Sequence, residues 1–266
     1  MKLSISNIAW SAEYDEDMYS YLNAEAFSGL EIAPTRIFTD CPYDKLLEAK
    51  EWSENLKKQF KLEISSMQSI WYGRQEKIFG TQEERNALID YTKKAVDFAE
   101  IIGCRNLVFG CPRNRDTENI EGNINIAVAF FKEIGDYAYR HNTIIALEPN
   151  PEIYNTHFMN NIKQTYGIVS MVSSLGIKVN VDLGAMIYEK EDVSCLRKIK
   201  DYINHVHISE PYLNIIEKRN IHNQLFDFLH DIVYENYVSI EMKNNSDLNN
   251  VKETIDYVKT INDRFI

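Results

Sequence analysis

Hydrophobic and β-branched residues recur in short runs along the whole chain, and longer amphipathic segments separate these runs. The runs have the length and composition of buried β-strands. They occupy residues 2–10, 29–36, 61–70, 106–112, 143–151, 178–186, 205–211 and 237–243. Between them, apolar residues recur at helical spacing, most clearly over residues 46–60, 84–103, 123–141 and 247–263. The pattern therefore predicts eight alternating strand and helix units.

Local signals place some of the element boundaries. Gly103 and Gly176 are predicted to end helices ahead of the next strand, because glycine is favoured just past a helix C-terminus. Ser246 and Asp247 are predicted to cap the last helix. The longest predicted loops, about 71–82 and 111–119, follow the third and fourth strands.

Regular alternation of strands and helices predicts parallel strands joined by crossover helices. For a chain of 266 residues, this favours a closed (β/α)8 barrel, the TIM-barrel form of the α/β class, over an open doubly wound sheet. No Pro/Gly/Ser-rich linker, composition shift or low-complexity tract divides the sequence. We therefore expect a single barrel domain over residues 1–266.

Composition narrows the function classes. The net charge of −11 and pI near 5.1 argue against binding to nucleic acid, because that binding depends on Lys and Arg neutralising phosphates. No apolar run reaches the roughly 18 residues of a membrane span, and no secretory leader is present. The four cysteines form no CxxC motif and are expected to be reduced. These features predict a cytoplasmic protein.

The second-half strands end in ionisable residues. In a barrel of this type, reactive groups lie where strands end and the following loops begin. Strand five ends in Glu148, strand six in Asp182, strand seven in His207 and strand eight in Glu241. Burying such carboxylates costs several kcal/mol unless a partner or a metal compensates them. The joint pattern predicts one bound divalent cation.

The chemistry of the donor set limits which ion it suits. Three hard oxygen ligands and one imidazole favour Mn2+, with Mg2+, Co2+ or Zn2+ as alternatives. The stretch "HVHISEP" places His205 and His207 on one face of the seventh strand, because strand side chains alternate. His205 lies two residues deeper and is expected to pack or form hydrogen bonds.

The motifs "LEPNP", "VDLGAM", "HVHISEP" and "VSIEMK" resemble those of the xylose-isomerase-like TIM-barrel superfamily. This superfamily of sugar (phosphate) isomerases and epimerases also contains endonuclease IV, of AP endonuclease family 2. The resemblance runs over essentially the whole chain. It implies that Glu148, Asp182, His207 and Glu241 hold one divalent metal, with His207 as the ligand of the HxH pair and His205 supporting it from below.

Two positions depart from the family pattern. Many relatives carry a histidine three residues after the strand-six aspartate, where this chain has Ala185. Ketose 3-epimerases of the tagatose/psicose type carry an arginine six residues after the strand-seven histidine, where this chain has Leu213. The second departure weakens the expectation of a free-ketohexose epimerase.

The leading functional hypothesis is a metal-dependent sugar or sugar-phosphate isomerase or epimerase. The metal would acidify a C–H bond beside adjacent carbonyl and hydroxyl oxygens and stabilise an enediolate. Glu148 and Glu241 would move the proton, giving epimerisation or isomerisation according to how the substrate lies. A related lyase, of the dehydroshikimate dehydratase type, is the alternative, because the same enediolate can expel a leaving group.

A DNA-repair enzyme and a non-catalytic binding subunit are two further hypotheses. Repair of the endonuclease IV type needs a trinuclear zinc cluster with histidines from early strands, and no histidine precedes His141. A non-catalytic substrate-binding subunit predicts the same fold with weak metal affinity. The net charge of −11 also argues against the repair enzyme, and calorimetric titration of metal-stripped protein with Mn2+ would test the binding subunit.

Strands of the first half supply candidate walls for a substrate. Trp10, Gln68 and Phe109 lie at or near the ends of strands one, three and four. Aromatic faces can pack on a sugar ring, and a glutamine can both donate to and accept from a hydroxyl. Ordinary packing is the competing interpretation for each of these residues.

Three cations follow strands at the same end of the barrel. Arg36 ends strand two, Arg113 lies in the loop after strand four, and Lys243 follows Glu241 by two residues. A guanidinium can bind phosphate or carboxylate with two parallel hydrogen bonds. We therefore expect a small-molecule carbohydrate substrate carrying an anionic group, although these cations could instead balance the acidic rim. Homo-oligomeric assembly stays open.

Overall fold

The computed structural model describes residues 1–244 and 246–265 and contains eight parallel strands that close into a barrel. The strands follow chain order around the barrel, and β1 pairs with β8 from Lys2 opposite Tyr237 to Ile5 opposite Ile240. The strands are β1 Lys2–Ser6, β2 Gly29–Ile32, β3 Glu63–Met67, β4 Asn106–Phe109, β5 Ile144–Leu147, β6 Ile177–Asp182, β7 Ile203–Ile208 and β8 Tyr237–Ile240.

Helices connect successive strands and surround the barrel. They are α1 Asp15–Ala24, α2 Pro34–Ile37, α3 Leu46–Phe60, α4 Gln82–Ile101, α5 Ile120–Arg140, α6 Ile162–Val172, α7 Leu183–Glu189, α8 Asn220–Asp231 and α9 Leu248–Asn262. A 3-10 helix, Val193–Tyr202, completes the connection from β6 to β7. The predicted (β/α)8 barrel is confirmed, and closure between β1 and β8 excludes the open sheet.

The apolar core lies mainly between the strands and the surrounding helices, whereas the barrel interior is polar. Ser4 and Ser65 hydroxyls lie 2.5 Å apart, and the Asn204 amide donates to the Asn106 side-chain oxygen at 2.7 Å. Each contact joins strands that are not neighbours, so these side chains point into the barrel. Branched apolar residues usually fill the layers of such a barrel. Here the interior can hold ionisable groups within a hydrogen-bonded network.

The boundary signals are confirmed at two positions and wrong at a third. Gly103 has a φ of +72° after α4, and Asp247 caps α9 by accepting from the Asn249 amide. Gly176 does not end α6, because Ser173 already takes the left-handed conformation there. A Cβ on Gly176 would lie 1.9 Å from the Gly135 carbonyl oxygen, so close backbone approach requires this glycine.

The four cysteines are free, and they differ in burial: Cys104 is buried, Cys111 and Cys195 are half-buried, and Cys41 is exposed. Among the described residues, none of the helices combines the length and the apolar character that a membrane crossing demands.

Candidate metal centre and active site

Four consecutive strands bring the predicted metal ligands together at their carboxyl ends. Glu148 directly follows β5, Asp182 ends β6, His207 is the penultimate residue of β7, and Glu241 directly follows β8. One potential ligand atom from each lies within 4.8 Å of the others. Parallel strands in register place corresponding positions at one end of the barrel, which explains why residues 93 apart in sequence converge.

His207 Nδ1 lies at the centre of this cluster. It is 3.0 Å from Glu148 Oε1, 3.2 Å from Glu241 Oε2 and 3.7 Å from Asp182 Oδ2. The imidazole is fully buried, while the three carboxylates keep a small exposed fraction. The cluster can therefore be approached from the side of the carboxylates.

Two side-chain amides hold the Glu148 carboxylate in place. Asn180 donates to Oε1 at 2.7 Å, and Asn150 donates to Oε2 at 3.0 Å. A Cβ on Gly110 would lie 2.8 Å from Oε2, so a side chain at this position would displace the carboxylate. Hydrogen bonds to both oxygens therefore fix the orientation of the Glu148 carboxylate.

Asp182 is oriented by the start of α7. Its Oδ1 caps this helix by accepting from the Ala185 amide at 2.6 Å, and its Oδ2 accepts from the Ser209 hydroxyl at 2.5 Å. At the position where many relatives carry a histidine, Ala185 contributes its backbone N–H to this arrangement. The chain therefore orients Asp182 through a helix cap and a serine.

The electrostatics of the cluster favour a bound cation. Burial raises the pKa of Glu241 to about 7, with a further contribution from the Glu148 charge. Burial alone would lower the pKa of His207, but the charges of Glu31 and Glu241 raise it well above its ordinary value. Among the described residues, no Lys or Arg forms an ion pair with Glu148, Asp182 or Glu241. Three carboxylates beside one imidazole fit a divalent ion, which would supply the missing positive charge.

Glu31 is part of the site and was missed by sequence reasoning. It lies on β2, is fully buried, and its Oε2 is 3.0 Å from His207 Nε2 and 2.9 Å from His205 Nε2. His205 thus lies below His207, as expected, and reaches it through this carboxylate. The available signal was a charged residue inside the apolar stretch "GLEIAP".

Arg115 lies behind Glu148 and is also fully buried. Its guanidinium donates to the Glu148 carbonyl at 2.9 Å and to the Asn150 side-chain oxygen at 3.0 Å. Burial lowers the pKa of Arg115 to about 10, so the group stays charged at neutral pH. The sequence alone did not distinguish this buried arginine from the exposed Arg113 in the same loop.

Two tyrosines in the loops after β5 and β7 contact each other. The Tyr154 hydroxyl accepts from the Tyr212 amide at 2.9 Å, and the two rings are 6.4 Å apart. Burial raises the pKa of Tyr154, and the charge of Asp182 adds to the shift. This charge effect places the hydroxyl near the carboxylates. Neither residue was singled out from the sequence.

The predicted wall residues lie in three different environments. Phe109 is fully buried and packs edge-on against Trp71 and Phe131, as a core residue does. Trp10 is 2% exposed, and its indole N–H donates to Asp15. The Gln68 amide donates to the Ser6 hydroxyl at 2.6 Å inside the barrel. All three are turned to protein partners in this structure.

The predicted cations also differ in their surroundings. Arg36 donates to both oxygens of Asp15 at 2.7 and 3.1 Å, and to the Trp10 carbonyl, so Asp15 already neutralises it. Arg113 and Lys243 are exposed. The Lys243 amide donates to the Leu213 carbonyl, which joins the loops after β7 and β8.

A cavity of about 1040 Å³ opens at the opposite, amino-terminal end of the barrel. Its lining carries both charges, including Lys2, Glu63, Arg105 and Glu235. The ionisable cluster converges at the other end, where loops of this fold carry the reactive groups. The carboxyl-terminal end is therefore the candidate active site.

With the barrel and the four-residue cluster established, comparison with known proteins decides the family. Residues 22–261 match the family model described as the xylose isomerase-like TIM barrel. The chain belongs to this family.

Solved structures with the same fold include several enzymes. The 3-keto-D-glucoside 4-epimerase YcjR from E. coli is 17% identical, with a TM-score of 0.78 over 98% of this chain and 99% of that one. The D-psicose 3-epimerase from Clostridium cellulolyticum H10 is 15% identical, with a TM-score of 0.81 over 100% and 99% of the two chains. The probable 3-DHS dehydratase AsbF from Bacillus anthracis is 15% identical, with a TM-score of 0.74 over 98% of each chain.

These identities establish a shared fold and leave the reaction open. No curated protein matches the sequence. The similar structures include epimerases and a dehydratase of one fold, so the specific chemistry has to be argued from the site.

Proposed function

We propose that this protein is a divalent-metal-dependent sugar or sugar-phosphate isomerase or epimerase. The observation that carries the proposal is the convergence of Glu148, Asp182, His207 and Glu241 within 4.8 Å. Among the described residues, no Lys or Arg side chain pairs with these carboxylates. Such a donor set suits a hard divalent cation, and we propose Mn2+ ahead of Mg2+, Co2+ and Zn2+.

The chemistry proposed for the site is proton transfer next to a carbonyl. When bound, a divalent ion polarises adjacent carbonyl and hydroxyl oxygens of a substrate and so acidifies the C–H bond between them. Glu148 and Glu241 follow strands that are three apart around the barrel, and both approach His207 Nδ1. One carboxylate can remove a proton to form an enediolate, and the other can return a proton on the opposite face.

The two glutamates are suited to different parts of this exchange. The amides of Asn150 and Asn180 fix the Glu148 carboxylate in one orientation, which favours a role as the base. Glu241 follows a different strand and keeps a small exposed fraction, so it can exchange a proton with a substrate from another side of the site. We propose Glu148 as the base and Glu241 as the acid for one direction of the reaction.

The decisive experiment measures proton exchange and product together. Protein loaded with Mn2+ is incubated in deuterated water with free ketoses, phosphorylated ketoses and 3-dehydroshikimate. Deuterium incorporation into a sugar without loss of water supports the proposal. Dehydration of 3-dehydroshikimate with no exchange into any sugar contradicts it and supports the dehydratase alternative.

Glutamine variants test the two proton-transfer residues. In Glu148→Gln and Glu241→Gln, an oxygen remains near the metal site but proton transfer is lost, so turnover should fall by about a hundredfold or more. Glu152→Gln is the matched control, because this exposed glutamate follows the same strand as Glu148. Near-normal turnover in either test variant would exclude that residue from the role.

The proposed substrate is a carbohydrate with an anionic group. Arg36 is already neutralised by Asp15, so Arg113 and Lys243 are the better candidates to bind the anion at the rim. Gln68, Trp10 and Phe109 need a change of partner or of packing before they can contact a sugar. Efficient turnover of neutral sugars, unchanged in Arg113→Ala and Lys243→Ala variants, would contradict this part of the proposal.

The remaining expectations concern where the protein acts and with what. We propose a cytoplasmic enzyme that binds no nucleic acid, on the basis of the net charge of −11 and the absence of CxxC motifs. A filter-binding assay with duplex DNA at low salt would contradict the second expectation if it detected tight binding.

A further inference from the structure

A fully buried carboxylate, Glu31, joins two histidines across the inside of the barrel. Its Oε2 lies 2.9 Å from His205 Nε2 and 3.0 Å from His207 Nε2, and both rings are at most 1% exposed. The contacts link β2 to β7, which are not neighbours in the barrel. Burying an ionised carboxylate is costly unless partners compensate its charge.

The contacts of Glu31 fix a hydrogen on the Nε2 atom of His207. An ionised carboxylate only accepts hydrogen bonds, so Nε2 of each ring must carry the hydrogen. When a cation displaces the hydrogen from Nδ1, the ring keeps its hydrogen on Nε2 and presents the Nδ1 lone pair. In His207, Nδ1 is the atom that faces Glu148 and Glu241.

We infer that Glu31 is a positioning residue for the metal centre, a role that rests on the metal site of the proposed function. It holds a hydrogen on Nε2 and fixes the ring plane, so that Nδ1 is directed toward Glu148 and Glu241, where an ion would bind. His205 donates to the same oxygen and keeps the carboxylate in place. A carboxylate on the far nitrogen of a metal-binding histidine orients the ring and increases its basicity.

A second arrangement of the same atoms competes with this role. Potential ligand atoms of Glu31, His205 and His207 also lie within 4.8 Å of one another and could hold an ion. His207 Nε2 would then need a free lone pair, and the hydrogen would move to Nδ1, toward the three carboxylates. The two sites therefore compete for one ring. The four-residue cluster offers more ligands and is partly exposed, so we assign His207 to it.

The first test observes the ring hydrogens of the wild-type protein directly. Nitrogen-15 NMR of the histidine rings, with His207 assigned by its loss in a His207→Asn variant, reports which ring nitrogen carries hydrogen. In protein loaded with diamagnetic Zn2+, Nε2 should be protonated and Nδ1 should be bound to metal. Protonation at Nδ1 would overturn the inference, as would two equivalents of metal bound per chain.

The second test measures metal affinity by calorimetry on metal-stripped protein. Glu31→Gln keeps the shape but removes the charge and offers one oxygen to two N–H donors, so Mn2+ affinity should fall by about 10- to 100-fold. Glu63→Gln is the matched control, on the neighbouring strand and paired only at the surface with Lys57 and Tyr237. Equal affinity and an unchanged His207 tautomer in Glu31→Gln would overturn the inference.

The outcomes separate this inference from the proposed function. If the wild-type protein binds one ion through His207 Nδ1 but exchanges no proton into any sugar, the function fails and the role of Glu31 stands. If Glu31→Gln binds metal as the wild type does, the role of Glu31 fails whatever the activity. If the wild type binds no divalent ion, both fail.

Discussion

Replacing Arg115 by methionine tests whether the buried guanidinium stabilises the loop that carries Glu148. The substitution removes a hydrogen bond of 2.9 Å to the Glu148 carbonyl and one of 3.0 Å to the Asn150 side chain. Two longer contacts of 3.4 Å, to the carbonyls of Phe109 and Met159, are lost as well. Methionine fills a similar volume, so the perturbation is mainly polar.

The magnitude follows from the acceptors left behind. Each buried acceptor that loses its donor costs about 1–3 kcal/mol, so the two short bonds together account for about 2–6 kcal/mol. Removing a fully buried charge returns part of that cost. We expect the free energy of unfolding to fall by about 2–4 kcal/mol. For a domain of this size, the midpoint of thermal unfolding should fall by about 5–15 °C.

The assay is urea and thermal unfolding of the metal-free protein, followed by circular dichroism. Arg113→Met is the matched control, because Arg113 lies two residues away in the same loop but is exposed. Its effect should stay within about 0.5 kcal/mol. If Arg115→Met unfolds at the same temperature as Arg113→Met, Arg115 does not stabilise this loop through its hydrogen bonds.

Three further outcomes are expected. Asp182→Ala should bind no stoichiometric Mn2+ by elemental analysis, and retention of one ion per chain would remove this residue from the ligand set. Gly110→Ala should weaken Mn2+ binding several-fold while leaving the fold intact by circular dichroism, because its Cβ would lie 2.8 Å from Glu148 Oε2; unchanged affinity would show that the carboxylate can move away. Burial lowers the pKa of His222 to about 4, so its contribution to stability is present above pH 6.5 and is lost as the pH falls toward 4. Between pH 7 and pH 5, the wild type should lose about 2 kcal/mol more than His222→Phe in urea unfolding, and parallel curves would contradict this assignment.

The environment of each side chain depended on partners that are distant in sequence. Arg36 was expected to be available to a substrate, but it pairs with Asp15 from the connection after β1. Arg113 and Arg115 lie in the same loop, and nothing in the sequence distinguishes them. Only the packing of the loops after β4 and β5 buries Arg115. Burial and pairing are properties of the assembled surface, so spacing along one chain segment does not reveal them.

The sequence by itself determined the barrel and the four residues at its carboxyl-terminal end. Both follow from local periodicity, since alternating strands and helices specify parallel pairing and parallel strands bring their last residues together. Only the tertiary structure decided how those residues are held. Glu31 contacts His207 across 176 positions, and Asn180 contacts Glu148 across 32. These contacts form inside the closed barrel, where side chains from non-neighbouring strands meet, and no pattern within a single strand encodes that meeting.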